Sequence, residues 1–253
     1  MEAVAGQASA IRNPGLWFLI DGPILPSPAV VGGLFANAII PESEADTAGT
    51  GDKVLATVIS GGLTFDLTGC VIDRARLRAD GAARSDLAPL SRIGATQAVV
   101  VRPGPHIASV AAAPIVVRGM ATVGEVLARR LSAVARIYWP PSGWSTCTEE
   151  YVRTAGLWTE SGAFPGPGII QFRPAMGGAL QSSGLAHFTG QELRIEGDLA
   201  PEGQHDRQRA DRLAADLAVR SRVTSSETYH CALGTSIRIA PSANGRYVRA
   251  SLA

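Results

Sequence analysis

The chain has 253 residues, of which 46% are hydrophobic and 18% charged, enough to bury a substantial core and too apolar for a disordered polymer or a disulfide-stapled miniature scaffold. Lys+Arg 23 against Asp+Glu 22 leaves a formal charge of +1, so net charge gives no reason to expect nucleic acid or an anionic membrane as a partner. With 28 glycines and 16 prolines and no collagen-like period, a loop-rich fold is expected.

In chain order, Leu16-Trp17-Phe18-Leu19-Ile20 is an apolar run bounded by turn residues, the pattern of a buried strand. Ser27-Pro28 supplies an N-cap and an N1 proline for a helix predicted through about Asn37, weakened by Gly32-Gly33. Residues 41–53 read as a loop. Strict alternation in Leu63-Thr64-Phe65-Asp66-Leu67-Thr68 predicts a half-exposed strand. Periodicity is lost over 73–92, and Gln97-Ala98-Val99-Val100-Val101 resumes a buried strand ended by Pro103-Gly104-Pro105.

Thr122-Val123-Gly124-Glu125 matches a capping box, so a helix is predicted to begin at Thr122 and to present Val123, Leu127 and Leu131 on one face. Ile137-Tyr138-Trp139 reads as a strand stopped by Pro140-Pro141. A second capping box, Thr146-Cys147-Thr148-Glu149, predicts a short helix ending near Gly156. Strands are predicted at 169–172, 180–188 and 192–196, and a surface helix at 206–220 with Arg207/Asp211, Arg212/Asp216 and Asp216/Arg220 at (i, i+4) spacing. Ser242-Ala243-Asn244-Gly245 between two short apolar runs predicts a terminal β-hairpin. Mixed strands and helices without a βαβα rhythm predict an α+β fold, a largely antiparallel mixed sheet with helices packed on one face. The loss of periodicity near residue 95 suggests an N-terminal portion over 1–95 and a C-terminal one over 96–253, separate or continuous.

The succession Gly184-Leu185, Phe188, Glu192-Leu193, Ile195, an amphipathic helix and Gly234-Thr235-Ser236-Ile237 resembles the bacterial domain-of-unknown-function family four-two-six-one, over roughly residues 130–250. The chain departs from that pattern in a longer loop, Glu196 to His205. The resemblance implies a compact bacterial α+β protein and supplies no reaction or catalytic residues.

No secretory n-region precedes an apolar run in MEAVAGQASA, and the longest mainly apolar stretch, Pro28 to Ile40, is 13 residues, short of the roughly 20 that span a bilayer. Three cysteines far apart, Cys70, Cys147 and Cys231, argue against a disulfide framework. A cytoplasmic protein with no membrane or nucleic-acid partner is expected. Only Lys53 is a lysine, against 22 arginines, so arginine clusters such as Arg129-Arg130 and Arg207-Arg209-Arg212 are read as compositional bias and not as binding patches.

The polar residues able to carry chemistry are His187, Glu192, His230 and Cys231, with Cys147, Glu149 and Glu150 as additions. Imidazole, thiolate and carboxylate are all zinc ligands, yet no His-Glu-x-x-His or Cys-x-x-Cys spacing is present, so no metal or cofactor is expected. Glu192, between a glycine turn and an apolar strand, is placed for acid–base work or for capping backbone N–H groups. His106, Ser109 and Ser142 lack a nucleophile elbow, and Gly49-Thr50-Gly51-Asp52-Lys53 lacks the phosphate-loop spacing.

Trp139, Trp144 and Trp158 with Tyr138 and Tyr151 gather the aromatic residues around Pro140-Pro141-Ser142-Gly143, as a core filling or as a contact surface. Two functions compete on this basis. One is a non-catalytic module binding a protein partner, or a second copy of itself, through Trp144, Tyr151 and Trp158; the other is a hydrolase-like or metal-dependent enzyme using His187, Glu192 and His230.

Overall fold

In a computed structural model, residues 15–22, 24–41, 52–72, 97–162, 164, 166–197, 199, 204–220, 222–230 and 236–253 are described. They form two mostly antiparallel sheets with helices, an α+β architecture. The first sheet has seven strands in the order β2-β3-β4-β5-β1-β6-β7, with β1 Leu16–Ile20, β2 Ala38–Ile39, β3 Lys53–Ser60, β4 Leu63–Val71, β5 Gln97–Pro103, β6 Val134–Trp139 and β7 Trp144–Thr146. Strands from both sides of residue 95 pair in one sheet.

The run in β1 is apolar throughout because it is buried on both faces. Leu16, Phe18 and Ile20 join the main core, while Trp17 and Leu19 join a second cluster with Cys70, Ala98, Val100 and Tyr138. The main core lies between this sheet and two helices, α2 Pro114–Arg130 and α3 Thr148–Ser161, which contribute Val123, Leu127, Tyr151 and Trp158.

Both predicted capping boxes are corrected. The helix expected from Thr122 starts at Pro114, a proline at N1 after Ala113, and the Thr122 hydroxyl lies in mid-helix, donating to the Arg118 carbonyl. Thr146 belongs to β7, Cys147 is the N-cap of α3 without a side-chain cap bond, and the helix continues past Gly156 to a left-handed Gly162. The first short helix, α1 Pro28–Gly32, is capped by Ser27 as predicted but stops at Gly32-Gly33, short of Asn37, and Gly32 sits so close to Ile40 that a Cβ there would fall 2.5 Å from its side chain.

The second sheet has six strands in the order β11-β12-β13-β10-β9-β8: β8 Gln171–Pro174, β9 Leu180–Ser183, β10 Glu192–Ile195, β11 Glu227–His230, β12 Ser236–Pro241 and β13 Tyr247–Leu252. Residues 166–169, expected to lead into a strand, form a helical turn, α4 Gly166–Ile169. The strand expected over 180–188 breaks at Gly184 into α5 Ala186–Thr189. The hairpin β12–β13 is present, with Gly245 at φ +66° in its turn. Among the described strands, only β10 and β13 pair in parallel. Helix α6 Gln204–Ala218 covers one face of this sheet, placing Leu213 and Leu217 with Ile195, Ile237 and Val248 in a second core. No helix among the described residues is long and apolar enough to cross a membrane.

Candidate functional site

Glu192 is a structural cap. At the start of β10 its Oε1 accepts the N–H groups of Gly184 (2.9 Å) and Ala186 (3.2 Å), and its Oε2 accepts the Leu185 N–H (3.2 Å) and the Ser182 hydroxyl (2.5 Å). A carboxylate offers about four lone-pair sites, and all four are used. The Ser182 hydroxyl in turn accepts the Leu193 N–H at 2.7 Å, so the turn between β9 and α5 is tied to β10 at both ends.

His187 lies in α5, one residue past Ala186. Its ring meets Trp139 edge-on with centroids 5.3 Å apart and Phe188 at 5.0 Å, and its Nε2 is buried without a hydrogen-bond partner, as is the Trp139 Nε1. Burial lowers the imidazole pKa to about 4 and keeps it neutral at pH 7. His230 ends β11, exposed, with its Nδ1 3.1 Å from the Ser236 hydroxyl. Three strand steps at about 4.8 Å each, roughly 14 Å, separate β11 from β10, so Glu192 and His230 belong to opposite parts of the sheet. Cys231 lies outside the described residues, Cys147 is exposed, and Glu150 is engaged by Arg153, which holds its carboxyl below the usual range. Among the described residues no three His, Cys, Asp or Glu side chains gather as a metal-ligand group. The three residues of the enzyme alternative are not brought together.

The aromatic region is also used internally. Tyr151 and Trp158 are 3% and 1% exposed, and the Tyr151 hydroxyl donates to the Ala121 carbonyl of α2. Trp144 is partly buried, 6.0 Å from the Tyr151 ring. The Pro140–Gly143 turn docks on the second sheet: Arg173 donates to the Ser142 carbonyl at 3.4 Å, Ser183 to the Pro141 carbonyl at 3.5 Å, and Gly184 packs so closely that a Cβ would fall 2.8 Å from Ser142 Cβ. Phe164 and Phe188 pack against both cores at the same joint.

The face of the second sheet opposite α6 is met at its β8–β9 end by the Pro140–Gly143 turn, through Arg173 and Ser183. Cross-strand pairs put Arg173, Gln181, Arg194 and Arg249 in one row over β8, β9, β10 and β13, and Arg238 stands on the adjoining strand opposite Ser251 and Thr228. Three strand steps, roughly 14 Å, separate the outer members of the row. Among the described residues the carboxylates on this face are Glu196, which bonds Arg249 at 2.6 Å and Arg194 at 3.4 Å, and Glu192, turned into its cap. Arg238 is held by the Ser226 hydroxyl. Tyr247, opposite Glu192, and His230 lie on the same face. Among the described residues this face thus carries four guanidinium groups and two carboxylates, and each guanidinium is bonded within the chain.

No family model, curated protein or solved structure matches the chain.

Composition hides this row of arginines, since 22 arginines against one lysine make arginine ordinary anywhere in the chain. The signal that could have found it is local: Leu193-Arg194-Ile195, Ile237-Arg238-Ile239 and Val248-Arg249-Ala250 each set an arginine between two core residues of a strand, which commits every one of them to the opposite face.

Proposed function

We propose that this chain is a non-catalytic binding protein whose contact surface is the open arginine face of the six-stranded sheet, and that its partner is an anionic macromolecule. The observation that supports this is the sorting of the sheet into an apolar face under α6 and a face bearing Arg173, Arg194, Arg238 and Arg249. A flat charged face concentrates counter-ions and steers an oppositely charged partner whatever the net charge of the whole molecule. The candidates for chemistry favour no reaction: Glu192 has no acceptor site left, and His187 is packed between rings.

Retention on immobilised heparin tests this reading. The wild-type protein is expected to bind at about 50 mM salt and to release as salt rises toward about 200 mM. The double variant Arg238→Gln/Arg249→Gln is expected to elute earlier, with an unchanged thermal midpoint. Equal elution of the two proteins rejects the surface.

A further inference from the structure

We infer that Asn244 is a site of spontaneous deamidation, gated by the hairpin turn between β12 and β13; the inference is independent of the binding reading above. Of the three asparagines in the chain, Asn13 precedes proline, Asn37 precedes alanine and Asn244 alone precedes glycine, where no Cβ crowds the backbone nitrogen that must attack. The side chains differ as well. Asn37 is held through its amide nitrogen, which donates to the Ile59 carbonyl at 2.7 Å. Asn244, exposed at the tip of the hairpin, is held through its oxygen: Oδ1 accepts the Ser242 hydroxyl at 2.8 Å and the Arg246 N–H at 3.0 Å, while Nδ2 has no hydrogen-bond partner among the described residues and is free to leave. Both bonds draw electron density away from Cγ. In the reaction the Gly245 nitrogen gives its proton to hydroxide and attacks Cγ; the Cγ–Nδ2 bond breaks, and Nδ2 departs as ammonia after taking a proton from water. A second water opens the resulting cyclic imide, either to aspartate or to isoaspartate, whose main chain runs through Cγ. The gate is the nucleophile. In the closed turn the Gly245 N–H donates to the Ser242 carbonyl at 2.8 Å, and the Ser242 hydroxyl also accepts the Tyr247 N–H at 3.0 Å. Slow chemistry of this kind runs from the minor population in which those bonds are open. The two products differ in consequence. Aspartate keeps an acceptor for both donors, whereas isoaspartate adds a backbone carbon next to Gly245, whose carbonyl accepts the Arg222 guanidinium at 2.7 Å and the amide of the wholly buried Gln191 at 3.2 Å.

The test is incubation of the full chain at mildly alkaline pH, folded and in urea, with mass spectrometry of the tryptic peptide Ile239–Arg246, in which Asn244 is the one amide side chain. Isoaspartate is counted separately, as methyl groups transferred from S-adenosylmethionine by an isoaspartyl methyltransferase. Conversion is expected to be about tenfold slower in the folded protein than in urea, and about threefold faster in Ser242→Ala, which loses both side-chain bonds of the turn, than in the wild type. Thermal unfolding of that variant, expected within a few degrees of wild type, separates an opened turn from a lost fold. A series of sub-denaturing urea concentrations on the wild type, over which the rate should rise, gives the same reading without a substitution. Asn244→Asp is expected to keep the wild-type urea midpoint, and the purified isoaspartyl form to unfold at lower urea. Equal rates in the folded and unfolded chain overturn the inference, as does a rate that neither Ser242→Ala nor sub-denaturing urea changes. A folded protein still unconverted when the unfolded chain is fully converted overturns the assignment of Asn244 as a site.

Discussion

Burial holds the His187 imidazole neutral, with its pKa lowered to about 4, and this makes it the residue through which acid should loosen the protein. The unfolded chain binds a proton there below about pH 6.5, while the folded one does so only near pH 4, so stability is complete above the unfolded value and falls between the two. Between pH 7 and pH 5 the stability advantage of wild type over His187→Phe should shrink by about 2 kcal/mol in urea denaturation. A difference independent of pH would mean that the ring is not desolvated. Glu192 makes the complementary case. Glu192→Ala strands three N–H groups and a hydroxyl in the turn between β9 and α5, and should cost about 3 kcal/mol, with Glu192→Gln intermediate because its amide keeps one acceptor oxygen. The sequence showed that Glu192 stood next to a glycine turn, and capping was one of the two uses it allowed. That the neighbouring histidine would turn away to meet Trp139, forty-eight positions earlier in the chain, was not legible locally, because the contact belongs to the meeting of two sheets.

Helix α2 shows how a genuine local signal can be misassigned. Thr122 and Glu125 have capping-box spacing, but Ala113-Pro114 starts the helix two turns earlier, and tertiary burial of Val116, Val117 and Met120 extends it over residues with no capping side chain. A mid-helix threonine loses rotamer freedom, so Thr122→Ala should stabilise the protein by about 0.5 kcal/mol, where loss of a true N-cap would cost about 1 kcal/mol. The sign of the shift in denaturant midpoint decides the matter. Strands with clean patterns were legible: β1 as an apolar run, β4 by alternation, β12 and β13 by the turn between them. Strand β3 is not legible because Lys53-Val54-Leu55-Ala56 follows an acidic, turn-forming stretch and a register shift between Val54 and Ala56 breaks its period of two. The stretch 180–188 failed for the opposite reason. Its composition suits a strand, and only Gly184, at φ +102° and tight against the Ile169 carbonyl, turns the chain into α5.

At the scale of the molecule, the α+β class followed from the mixture of elements, whereas the organisation into two sheets did not, since strand order is set by contacts distant in sequence. The balanced total charge likewise hid how charge is distributed, because a sheet separates its residues by parity and not by composition. The two layers should nevertheless unfold together. All four tryptophans, Trp17, Trp139, Trp144 and Trp158, report on the first layer, and amide exchange in β10 and β13 reports on the second. With Phe164 and Phe188 packed against both cores, the two probes are expected to give coincident urea transitions in the wild type. Phe188→Ala, at a cost of about 3 kcal/mol, should pull the transitions apart. Coincidence in that variant would show that the joint is held elsewhere.

The parallel pair β10–β13 bears on the order in which a ribosome delivers the chain. Residues 247–252 form an inner strand of their sheet, hydrogen-bonded to β12 on one side and to β10 on the other. During synthesis at about 5–20 residues per second, β8, β9 and β10 emerge several seconds before the strand that completes them. Through that interval the side of β10 that β13 later occupies presents an unpaired backbone edge, the kind of edge on which nascent chains associate.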